Sequence, residues 1–205
     1  MNALTIREPF ASLIMLGHKR IETRSWPAPA AAIGQSIAIH AAKGLTLDEL
    51  FLCYEEEFYD ALTGSGLRLR PMTELEMAPN VALAAAFPTT RGCVVATATL
   101  EKCSRVPEWL SADIQRLLDE RGYPANEMEF GDFSPGRYGW VLTDVRPLAV
   151  PVPARGQQGI WQWEIPETAQ HDREDGILVG TAQKLETTAP PLTVRSGVSR
   201  EVANA

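Results

Sequence analysis

Lys19, Glu22 and Arg24 fall within one short stretch, and together their side chains can hold an anion beside a hydrogen-bonding carboxylate. Lysine and arginine suit phosphate, the first as a point charge and the second as a fork. A carboxylate can accept from a base edge or serve as a general base. In a strand over Arg20 to Ser25, Glu22 and Arg24 share one face, while Ile21 and Thr23 share the other. Lys19 has the wrong parity, so it must precede the strand or be re-aimed by a bulge. An exposed ion pair is worth only about 0–1 kcal/mol. A charged pair beside a helix end is therefore better explained as a site. As a general base Glu22 would need burial to raise its pKa, and the two cations push the other way.

A second set lies in Glu129 to Trp140. Gly131 and the run Ser134, Pro135, Gly136 are turn signals ahead of a strand. Turn backbones expose N–H groups that can cradle an anion. Arg137 adds a fork, and Tyr138 or Phe133 a ring on which a base can stack. The turn joins the first set only if it lies beside residues 19–24. His40 falls on the opposite parity from Ile37 and Ile39. It is either a cleft-side ligand or a core histidine satisfied by backbone. Trp161 and Trp163 share a face with Ile165, either to stack bases or to close a barrel. Closure is favoured, since tryptophan buries a large area.

Helical spacing of Phe10, Leu13, Ile14 and Leu16 predicts a helix from Pro9, stopped by Gly17. Strands are predicted at Ala3–Ile6, Arg20–Ser25, Gln35–Ala42, Arg91–Cys103, Tyr138–Val145 and Ile160–Ile165. Residues 44–90 read as an insertion. Leu47, Leu50, Phe51, Tyr54, Phe58 and Leu62 give one helix over Thr46–Leu62. Arg68–Pro88 reads as a long loop, with one turn near Met72–Glu76. A further helix is expected from Val106 to about Arg121. Beyond Pro166 the chain is rich in Thr, Ala, Ser and Gly, and 167–205 is expected to stay unfolded.

The formal net charge is −7 over 205 residues, which excludes a generic nucleic-acid coat. The charge is uneven: residues 1–43 carry +3, 44–90 carry −6, and 91–165 and 166–205 carry −2 each. A local anion site survives this, because exposed charges are screened beyond about 10 Å at 0.1 M salt. Glu55–Glu57 can dock a basic partner, although such a run is more often a solvated helix face. Cys53, Cys93 and Cys103 form neither a zinc pattern nor a disulfide framework, and Cys93 and Cys103 are expected buried. No membrane span, signal peptide, metal set or cofactor motif is read, so a cytoplasmic protein is expected.

Gly17, Lys19, Glu22 and Arg24 fit the pattern G-x-K-x-x-E-x-R, and here the chain resembles the ASCH family, named for homology to the activating signal cointegrator. The flanks Leu4–Ile14 and Arg24–Pro27, the stretch Gly92–Ala98 and the segment Ile160–Glu164 are similar to the same family. The resemblance covers roughly 3–166. It implies an α+β fold: a small PUA-like β-barrel with peripheral helices, here carrying an acidic helical insertion at 44–90. PUA domains bind modified or structured RNA. Binding of RNA or a nucleotide is therefore the leading expectation, with Lys19, Glu22, Arg24, His40, Ser134, Arg137 and Tyr138 lining the cleft. The rival is an enzyme, with Lys19 and Glu22 catalytic. Some relatives are amidohydrolases of acetylated cytidine, using a Lys–Thr–acid set whose threonine stands where this chain has Glu22. That departure weakens amide hydrolysis here. Other relatives are metal-dependent ribonucleases, and no ligand cluster with suitable spacing is evident. A third reading is a protein-interaction module that uses the acidic insertion.

Overall fold

The computed structural model describes residues 1–106, 120, 122–124 and 126–165. The helix expected from Val106 and the tail beyond residue 166 lie outside the described residues. Six strands form one curled sheet: β1 (Asn2–Ile6), β2 (Ile21–Arg24), β3 (Ser36–Ala41), β4 (Cys93–Arg105), β5 (Tyr138–Pro153) and β6 (Ile160–Gln162). Their order is β2-β5-β4-β3-β1-β6. Only β1 and β3 run parallel. The α+β half-barrel agrees with the expected class.

Strand alternation sorts the side chains onto two faces. Leu4, Ile6, Ile37, Ile39, Ala98 and Leu100 point to the main core with Trp140 and Leu142. Ala3, Ala38 and Val94 point the other way and pack with Trp161 and Trp163. The tryptophans thus close the fold: Trp161 Nε1 donates to Thr5 Oγ1 at 3.0 Å.

Helix α1 (Phe10–Leu16) is the wedge between two cores. Ala11 and Ile14 meet the sheet, while Leu13 meets residues of segment 44–90. Gly17 ends it in the left-handed region, at φ 88°, and its N–H bonds Ile14 O. At the other end the buried Glu8 carboxylate accepts from Ser12 N, Ser12 Oγ and Thr90 Oγ1. Burial pushes the Glu8 pKa up, against those three donors. Thr90 closes the insertion, so Glu8 pins its far end to α1.

Segment 44–90, read above as an insertion, departs from expectation in two places. The single helix predicted over Thr46–Leu62 is broken into α2 (Leu47–Leu52) and α3 (Glu56–Gly64). A capping box between Thr46 and Glu49 starts α2. The break re-aims α3, so that Phe58 meets Phe10 and Phe130 edge-on, at 5.9 and 4.9 Å. In the loop predicted over Arg68–Pro88, the turn expected near Met72–Glu76 is α4 (Met72–Met77), and α5 (Pro79–Ala85) follows it unforeseen. Both are too short to show a period, but Pro71 and Pro79 sit at helix starts, where proline costs least.

Strand β5 outruns its predicted end at Val145. Pro147, Pro151 and Pro153 argue against a strand interior, yet β2 covers only Tyr138 to Val141. Past that point β5 pairs with β4 alone and is an edge, where a missing N–H is tolerated. The last strand is shorter than predicted: β6 covers Ile160–Gln162 of the expected Ile160–Ile165. Of the cysteines, Cys53 is buried while Cys93 and Cys103 are half-buried, against the expectation of burial for both.

Candidate functional site

Strand β2 is four residues long, and the segment around it fixes its place. Glu127, a buried carboxylate, accepts from the N–H groups of Arg20 and Ile21, both at 2.7 Å. Asp132 N donates to Thr23 Oγ1 at 3.0 Å, and Arg137 Nη2 to Thr23 O at 3.3 Å. The turn over 130–137 therefore does lie beside the motif strand. Gly131 fits closely there: a Cβ would come within 2.7 Å of the Phe133 ring and 3.2 Å of Thr23.

Lys19 precedes β2, as parity demanded, but its ammonium does not face solvent. The residue is 1% exposed. Its Nζ donates to Ile21 O and to Phe130 O, lies 3.8 Å from Glu22 Oε2 and sits over the Phe10 ring at 5.7 Å. Burial lowers its pKa, while Glu22 and Glu127 oppose that shift. With its donors turned inward, Lys19 braces Glu22 rather than meeting an outside anion.

Glu22 is paired on its other side with Arg24, whose Nε lies 2.9 Å from Glu22 Oε1. Arg24 Nη2 donates to Thr5 O at 2.7 Å. This contact has a topological reason. Ile6 O accepts from the N–H of Ala42, just past the end of β3, so Thr5 O points away from β3. There β6 reaches only as far as Leu4. Arg24 fills the gap and joins the first strand of the sheet order to the fifth. Tyr138 stands opposite Arg24 in the β2–β5 register.

Arg137 has a carboxylate neighbour too, Asp132 Oδ2 at 3.1 Å from its Nε. Asp132 Oδ1 accepts from Ser134 N at 3.0 Å, and the Ser134 hydroxyl together with that N–H holds the Asp132 pKa below the usual range. Ser134 itself is exposed on the turn. The Nε atoms of Arg24 and Arg137 are buried, and neither makes an aligned hydrogen bond with its nearby carboxylate. Both arginines flank Thr23.

His40 is not brought to this group. It lies on the Trp161 face, 1% exposed, with its ring 5.6 Å from that of Trp161 and Nε2 3.1 Å from Ala154 O. Burial lowers its pKa. The structure thus gathers Glu22, Arg24, Arg137, Tyr138 and Ser134 around β2, with Lys19 beneath and His40 elsewhere. Sequence reasoning missed Glu127 and Asp132. Glu127 follows a predicted helix and shares no motif with β2, so nothing local marks it. Asp132, two residues before the Ser134–Gly136 turn, is the spacing of an Asx-turn and was legible. An open cleft of about 610 Å³ lies beside Arg20, Glu101 and Asp144, away from Glu22 and Arg24. No group of three metal-ligating side chains occurs among the described residues. No helix among them is long and apolar enough to cross a membrane.

A comparison with curated proteins returned no match. Among solved structures, the ASCH protein of Zymomonas mobilis is similar at 16% identity and a TM-score of 0.41, covering 83% of this chain and 90% of that one. Two point mutants of that protein are similar at 16% identity and a TM-score of 0.40, covering 83% of this chain and 94% and 92% of theirs. A family model described as ASCH domain matches residues 4–151, which is well over half of the 205. This chain belongs to the ASCH domain family.

Proposed function

We propose that the end of the half-barrel formed by Glu22, Arg24, Arg137 and Tyr138 binds RNA or a nucleotide. The observation that carries this reading is the pair of partly exposed guanidiniums flanking Thr23, with side chains 24% exposed at Arg24 and 30% at Arg137, each held beside a carboxylate. A guanidinium oriented by a carboxylate through Nε keeps outer N–H groups of its fork for a phosphate oxygen. Tyr138 offers a ring for a base, and the buried Glu22 orients Arg24. Lys19 acts from below, keeping Glu22 in position.

The test is a titration of the protein with a labelled single-stranded RNA across a salt series. Arg24→Ala and Arg137→Ala are expected to weaken binding and each to reduce the salt slope by about one. Arg70→Ala, in the insertion, is the control and is expected to change neither. Equal loss in all three variants, or no saturable binding in the wild type, overturns the reading. Shortened RNA would replace it with the enzymatic one.

A further inference from the structure

Among the described residues, the exposed large apolar side chains are Phe51, Tyr59, Met72, Met77, Val81 and Val150. All but Val150 lie in the insertion, which also carries a charge of −6. Part of this set is linked through Tyr54. Phe51 and Tyr54 are one helical turn apart. The rings of Tyr54 and Tyr59 lie 6.4 Å apart, tilted by 33°. Tyr54 Oη donates to Arg70 O at 2.7 Å, which brings in the start of α4 and Met72. Exposure is 41% for Phe51, 44% for Tyr59 and 37% for Met72. Around them stand exposed carboxylates: Glu55 and Glu56 precede Tyr59 by four and three positions, and Glu74 follows Met72. Of the two arginines in segment 44–90, Arg70 is already paired with Glu74 at 2.7 Å, which leaves Arg68 against eight carboxylates.

Isolated exposed apolar residues are ordinary, but a grouped set rimmed by polar ones marks an interaction surface. The sign of the rim selects the occupant. RNA and anionic lipid are repelled by it. A second copy would set −6 against −6. What fits is a cationic chain whose apolar side chains meet the aromatic patch while its lysines or arginines meet the rim.

We infer that the face formed by α2, α3 and the start of α4 docks a basic amphipathic segment of another protein, anchored on Phe51, Tyr59 and Met72. This surface is independent of the arginine site at β2. The rim governs the on-rate and its salt dependence, and the aromatic patch the residence time.

The experiment uses the full chain and two labelled peptides of equal charge. One is an amphipathic Lys/Leu helix, and the other has serine at each leucine position. Binding is followed by anisotropy near physiological salt. The Lys/Leu peptide is expected to bind at least about tenfold more tightly than the Lys/Ser peptide. The double substitution Tyr59→Ser with Met72→Ser is expected to erase that difference, and Glu55→Gln with Glu56→Gln to weaken both peptides. These positions are exposed, so the variants fold, and a melting curve checks that they do. Equal binding of the two peptides overturns the inference, since charge alone would then account for it. So does RNA binding that the Tyr59→Ser pair abolishes, which would give the surface to nucleic acid. Concentration-dependent dimerisation lost in that pair would give it to a second copy.

Discussion

Glu127 and Lys19 grip the two ends of one residue: the Ile21 N–H goes to the Glu127 carboxylate, and the Ile21 carbonyl to the Lys19 ammonium. Neither partner belongs to the sheet. The four-residue strand that carries Glu22 and Arg24 is thus set by two buried charges as well as by its ladder with β5.

Lys19 should accordingly behave as a stability residue. Lys19→Met strands two buried carbonyls and removes one of the cations beside Glu22. Loss of one partner of a buried charged cluster costs about 3–5 kcal/mol. Denaturant unfolding is expected to show a loss of about 3 kcal/mol, in the absence of any ligand. An unchanged midpoint would return Lys19 to the role of a ligand-facing cation.

Gly156 has no room for a side chain. A Cβ there would stand 2.4 Å from His40 Cε1 and 3.0 Å from Thr5 Oγ1. Gly156→Ala is expected to destabilise by about 1–3 kcal/mol, the usual range for overpacking. Combining it with His40→Ala should recover part of that loss. Additive losses in the two variants would show that the contact is not the cause.

His40 also sets a pH dependence. Burial holds its folded pKa below the unfolded value near 6.5, so the folded state disfavours the proton. Its contribution to stability is therefore present in full above about pH 6.5 and declines as pH falls below it, until the folded pKa is passed. The difference in unfolding free energy between wild type and His40→Gln, followed from pH 8 to 5, is expected to move against the wild type on the acid side. A flat difference would refute the assignment.

Much of this fold was readable because its signals are local. Ile37 and Ile39 against Ala38 and His40 alternate as a strand must, and the parity of Glu22 with Arg24 sets their common face by spacing alone. Gly17 marked the end of α1 for the same reason. What escaped depends on distant chain. The predicted strand stopped at Val145, because the tolerance of Pro147 and Pro151 rests on β2 covering β5 only as far as Val141, which turns the rest of β5 into an edge. Lys19 read as an outward cation because Phe130 O, the acceptor that draws it inward, is supplied from far along the sequence. The break between α2 and α3 follows from Phe58 having to meet both Phe10 and Phe130, a demand no helical period records.

Cys53 should be chemically silent in the folded protein. It is fully buried, and burial together with the nearby Glu8 and Glu49 carboxylates pushes its thiol up to about 12. Thiolates, not thiols, react with disulfide reagents. Titration with such a reagent at pH 8 is expected to modify Cys93 and Cys103 first, and Cys53 only on unfolding. Three equal fast phases would contradict the packing around it.

The Arg24 contact to Thr5 O has a mechanical meaning. It is a seam held by one side chain at a place where the backbone ladder has run out. Any ligand that draws on the same guanidinium acts on that seam as well. Occupancy and barrel opening are then linked quantities, and by reciprocity whatever loosens β1 from β2 must alter affinity by the same factor. Slow hydrogen exchange in the strands on either side of the seam would register the ligand without touching it.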